Sequence, residues 1–188
     1  MRSASWCLAG WVLILSGCIS TGDRLPPLET VAYVDLNRYL GRWYEIAKLP
    51  TSFEQDCTGV TATYSLRPDG NIRVLNRCLK HSLDDRVDQA EGRAWVVDPK
   101  TNAKLKVSFF LWFAGDYWII ELGPDYDYAV VGDPSRKFLW FLCRRPVMPE
   151  VLYADLLKRA AAKGFDVSRM EKTLQPAQPD GEAAGGKR

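Results

Sequence analysis

Asp35-Leu36-Asn37-Arg38-Tyr39-Leu40-Gly41-Arg42-Trp43-Tyr44-Glu45-Ile46-Ala47 reads, on its own, as a turn at Gly41 followed by a strand that carries a core Trp43. Outward from it, short runs rich in Val, Ile, Thr and aromatic residues recur at close intervals between turn residues, which is an all-β signal. Strands are expected near 43–49, 58–66, 71–80, 88–97, 103–113, 116–122, 127–132 and 137–144. Arg67-Pro68-Asp69-Gly70 marks a hairpin turn, because Pro presets φ and Gly accepts a positive one. Asp98-Pro99-Lys100-Thr101-Asn102 and Gly132-Asp133-Pro134-Ser135 punctuate the chain in the same way.

The pattern changes after Arg144. Pro149 and Glu150 open, and Lys158, Arg159 and Gly164 close, a segment with Leu152, Tyr153, Leu156 and Ala160 on one helical face. One helix should therefore pack outside the strands. An eight-stranded antiparallel up-and-down meander buries its edges best by closing into a β-barrel, whose interior either fills with side chains or holds one small ligand.

Three further stretches make the opening segment specific. Gly41-Arg42-Trp43, Tyr126-Asp127-Tyr128-Ala129-Val130-Val131-Gly132 and Phe138-Leu139-Trp140-Phe141-Leu142-Cys143-Arg144 resemble the three signature motifs of the lipocalins. Thr61 to Leu66 and Gly164 to Ser168 are similar to the bacterial outer-membrane lipocalins and their relative apolipoprotein D. The likeness covers Val34 to about Gln175; it departs at the second motif, where Gly123-Pro124-Asp125 stands near the place of a Thr-Asp-Tyr turn. It implies a barrel floor of Gly41, Trp43 and Arg144, with the guanidinium stacked on the indole. It also implies a ligand pocket at Tyr64, Asn76, Phe109 and Tyr128, while alternation from Arg144 turns Leu142 and Trp140 inward as well.

The N-terminus carries a different signal. Arg2, the apolar run Trp6 to Leu15 and small residues before Cys18 have the layout of a secretory signal peptide over 1–17. Leu15-Ser16-Gly17-Cys18 resembles the bacterial lipoprotein signal, which implies lipidation of the Cys18 thiol. The apolar segment is shorter than the roughly 20 residues a membrane span needs. By resemblance to the sorting signals of Gram-negative lipoproteins, where Asp at the second mature position favours inner-membrane retention, Ile19 implies an outer-membrane protein, anchored by lipid and facing the periplasm. Residues 18–29, with Pro26-Pro27, read as a lipidated tether, 30–175 as one folded domain and 176–188 as a disordered tail.

The 188-residue chain has 25 Lys plus Arg against 23 Asp plus Glu, so no basic stripe points to nucleic acid. Its one His, His81, leaves no His-based triad or metal cluster to assemble, and neither metal nor cofactor is implied. Cys143 has no base near it in sequence. Cys57 and Cys78 flank the Pro68 hairpin at nearly opposed positions; a disulfide in an oxidising compartment and two unpaired thiols both fit. Seven Trp, eight Tyr and seven Phe suit an apolar ligand site. The expected function is non-covalent binding, storage or transport of a fatty acid, lysophospholipid or similar amphipath, not catalysis. A ligand-free structural lipoprotein and an enzyme on the same barrel are the alternatives, and a homodimer is left open.

Overall fold

The computed structural model describes residues 25–110 and 113–177. The signal segment, Cys18 and the tail from 178 onward lie outside the described residues.

A short helix α1 (Leu36–Tyr39) precedes β1 (Gly41–Lys48), β2 (Cys57–Leu66), β3 (Ile72–Lys80), β4 (Val87–Val96), β5 (Lys104–Phe110), β6 (Phe113–Leu122), β7 (Tyr128–Gly132) and β8 (Leu139–Cys143). Helix α2 (Glu150–Ala162), a 3-10 turn and the short β9 (Glu171–Lys172) follow. Each strand pairs antiparallel with the next, and β1 pairs with both β8 and β2, so the meander closes into the expected eight-stranded barrel. The connections 67–71, 97–103 and 123–127 gather with α1 at one end, the floor; 49–56, 81–86 and 133–138 surround the other, the mouth.

Strand alternation splits the apolar residues into two cores. Trp43, Tyr64, Ile72, Val74, Leu105, Ile119, Val131 and Leu142 point into the lumen. Ile46, Ile120, Val130, Phe141 and Cys143 point outward under α2, which buries Tyr153, Leu156 and Ala160 against them. A fully buried Leu such as Leu156 contributes about 2 kcal/mol, so packing rather than helix propensity holds α2 in place.

The β1–β2 ladder ends at Tyr44↔Thr61. Toward the mouth the C-terminal segment fills the seam: Thr173 N donates to Ile46 O at 2.9 Å, and Gly59 N to Leu174 O at 2.7 Å. The Gln175 amide donates to Glu45 O and Val60 O, at 2.7 and 2.9 Å, and so joins the two strands through a side chain.

Two boundaries differ from the sequence reading. Phe110 pairs with Phe113, and Ala114 and Gly115, which fall between the expected strands 103–113 and 116–122, lie inside β6, where Gly115 pairs with Val107. The expected tether is packed at its end: Leu28 is buried in the outer core that also holds Phe141 and the inner face of α2, and Arg136 Nη2 donates to Pro26 O.

Candidate functional site

The floor is built around Arg144. Its guanidinium carbon lies 3.9 Å from the Trp43 ring centroid. Nη1 donates to Arg42 O at 2.9 Å, Nη2 to Arg38 O at 2.7 Å, and Nε to Tyr126 O at 3.2 Å. One planar fork thus ties α1, β1 and the β6–β7 turn together, which an ammonium could not do. Gly41 is needed beside it: its φ is +95°, and a Cβ there would stand 3.3 Å from Arg144 Nη1.

Above the floor the lumen is filled. The Tyr117 hydroxyl shares hydrogen bonds of 2.8 Å with those of Tyr39 and Tyr64. Burial pushes the Tyr64 phenol up to about 12 and those of Tyr39 and Tyr117 well above the usual range, so all three stay neutral. The space left among Tyr64, Ile72, Val74, Leu105 and Ile119 is about 10 Å³, the scale of a single water.

Nearer the mouth the inward side chains are only half-buried: Ala62, Asn76, Val107, Phe109 and Trp140. Asn76 Oδ1 is buried and finds no donor among the described residues. An acidic cluster joins these residues. Trp140 Nε1 and Thr51 Oγ1 donate to Glu54 Oε2 at 3.2 and 3.3 Å, and Thr173 Oγ1 donates to Glu45 Oε1. Burial, then the nearby Glu54 charge, push the Glu45 carboxyl up to about 8, and burial also raises Glu54. Lys48, itself buried, lies 3.5 Å from Glu171.

Of the expected pocket residues, Tyr64, Asn76, Phe109 and Trp140 occupy lumen positions, with Tyr64 locked in the filled lower layer. Tyr128 is a correction. It pairs with Cys143 and packs in the outer core, while Ala129 and Leu142 take the inward positions beside it. Sequence reasoning missed Tyr39, Tyr117, Glu45, Lys48 and Glu54; only Glu45 carried a usable signal, two residues after the inward Trp43. Cys57 and Cys78 are bonded to each other near the mouth. Cys143 is buried, and burial raises its thiol, which makes it a weak nucleophile at neutral pH.

A lipocalin-like domain profile matches residues 34–175. The chain is a lipocalin. It is 43% identical to the outer membrane lipoprotein Blc of Escherichia coli K12 over 161 residues, 84% of this lipocalin and 90% of that protein. It is 40% identical to temperature-induced lipocalin-1 of Arabidopsis thaliana, covering 81% and 85% of the two chains. Mouse apolipoprotein D is 39% identical, over 82% and 83%. Among solved structures, insecticyanin from Manduca sexta superposes with a TM-score of 0.64 at 20% identity, covering 82% of this lipocalin and 87% of that chain, a likeness of fold alone.

Proposed function

We propose that this lipocalin binds a single-chain amphipathic lipid, a fatty acid or lysophospholipid, in the upper half of its barrel, without catalysis. The observation that carries the reading is the division of the lumen: tyrosines fill the lower layer, while the layer around Asn76, Phe109 and Trp140 is only partly buried and mostly apolar. Burial contributes about 0.8 kcal/mol per CH₂, so about ten methylenes contribute about 8 kcal/mol, the scale of a micromolar Kd. The acyl chain lies on Val107, Phe109 and Trp140, and the head stays toward the mouth.

The name of the E. coli relative, an outer membrane lipoprotein, supports the same address here. In this reading Cys18 is the lipidated residue that tethers the barrel to the outer membrane, facing the periplasm, and the anchor raises the local concentration of lipid around the mouth.

Titration with palmitate and with lysophosphatidylcholine, followed by tryptophan fluorescence, tests the binding site. Phe109→Asp and Trp140→Ala should each weaken binding about tenfold, about 1.4 kcal/mol, and Tyr128→Phe should leave it unchanged. Saturable binding that neither lumen variant alters contradicts the proposal. The small residual space of the lower lumen favours a second reading, a filled structural barrel, and an absence of any saturable binding would establish it.

A further inference from the structure

The outer face of β1, β2 and β3, away from α2, carries a groove of about 330 Å³. That volume falls within the range of small-molecule sites. The ladders place Arg42 beside Thr63 and Thr61 beside Arg77, so the two hydroxyls lie between two arginines on one outward face. By strand spacing the two arginine Cα atoms stand roughly 12 Å apart, close enough for both guanidinium groups to reach one anion.

Neither guanidinium finds an acceptor among the described residues, although most of their neighbours are paired. Arg67 holds Asp69, Lys80 lies 3.7 Å from Asp88, and Glu91, which sits across from Leu75, is taken by Arg73 at 2.6 Å. The rest of the groove is apolar: Leu75 lies across from Thr63, level with Arg42, while Leu79 and the exposed Val87 opposite it continue from Arg77 toward the mouth. Gly59 shapes it. At a φ of +56°, beside a bulge in β2, it admits Leu79 so closely that a Cβ there would stand 3.0 Å from that side chain.

We propose that this groove is a second, external binding site for a phosphate-headed amphipath, a phospholipid of the membrane. Arg42 and Arg77 hold the phosphate, the Thr61 and Thr63 hydroxyls donate to it, Leu75 packs beside the head, and the alkyl chain lies over Leu79 and Val87. Two planar guanidinium forks match phosphate geometry, and the adjoining leucines fit a chain rather than a bare ion.

Site-resolved NMR on the full chain carrying Cys18→Ser, which removes the thiol that would be acylated, tests the site with three probes. Dodecyl phosphate should shift the Thr61, Thr63 and Arg77 amides saturably, and inorganic phosphate should need at least tenfold higher concentration. The Arg42→Gln/Arg77→Gln pair should weaken the dodecyl phosphate response at least tenfold while leaving palmitate binding in the lumen unchanged. Equal affinity for dodecyl maltoside overturns the proposal, as does a response that the double variant does not weaken. So do Thr61 and Thr63 shifts on deleting residues 178–188 without lipid, which would make the tail the occupant.

Discussion

Arg144 reaches across the barrel floor to lie 3.9 Å over Trp43, and the Trp43 indole in turn donates to Tyr39 O at 2.8 Å, an oxygen that Arg144 Nη2 also approaches at 3.2 Å. The stack therefore shares its acceptor with α1. Cation and ring are joined by a common backbone oxygen, which couples the floor strand to the helix that covers it.

Arg144→Ala should lower the unfolding free energy by about 3 kcal/mol, because charge-assisted hydrogen bonds to backbone carbonyls and the ring contact are lost together. Arg144→Lys should recover only part, since a single ammonium cannot span the acceptors on α1, β1 and the β6–β7 turn. Urea unfolding of the two variants measures both; equal stability of the Lys variant and the parent would contradict the fork geometry.

Tyr117→Phe removes one hydroxyl and leaves two buried partners, Tyr39 and Tyr64, short of a hydrogen bond. The expected cost is about 2 kcal/mol. Thermal unfolding checks it, and a cost under about 0.5 kcal/mol would mean that water replaces the missing oxygen.

Glu45 should make stability fall as the medium becomes more basic. Its carboxyl titrates near 4.5 unfolded and is pushed up to about 8 in the barrel by burial and by Glu54, against the opposing pull of Thr173 and Lys48. Between these values the folded state holds the extra proton, so stability declines as pH rises through the window and levels off above it. Glu54, raised in the same direction by burial, adds to the slope. Glu45→Gln keeps an acceptor for Thr173 and should flatten most of the dependence in urea titrations from pH 5 to 9; an unchanged slope would assign it elsewhere.

Reduction of Cys57–Cys78, which closes a separation of 21 residues, should cost about 3 kcal/mol by the loop-entropy estimate. Cys57→Ser/Cys78→Ser compared with the parent under oxidising and reducing conditions reads it directly. The parent in reductant should match the double variant.

The barrel is legible in the sequence wherever turn chemistry interrupts alternation. Arg67-Pro68-Asp69-Gly70 announces the β2–β3 hairpin, and the structure closes it with Gly70 N donating to Arg67 O and a Gly70 φ of +79°. The β5–β6 turn is hidden because the run from Phe109 to Phe113 offers no turn residue, and the first Gly, at 115, belongs to the following strand. Likeness to related pockets turns Tyr128 inward, but its strand face depends on the β7–β8 register, which no local pattern states. The tyrosine cluster is invisible for a similar reason, since it joins residues 53 and 78 positions apart. Local signals thus mark strands and turns, whereas the composition of the lumen is set by long-range register.

Native mass spectrometry of the chain extracted from its host membrane in a mild detergent reads lipid occupancy of the barrel without a reporter. Lipid binding in the lumen gives a one-to-one complex with a single-chain lipid that is displaced by added lysophosphatidylcholine and weakened by Phe109→Asp. A chain that comes out empty and stays empty with lysophosphatidylcholine and palmitate in excess would contradict it.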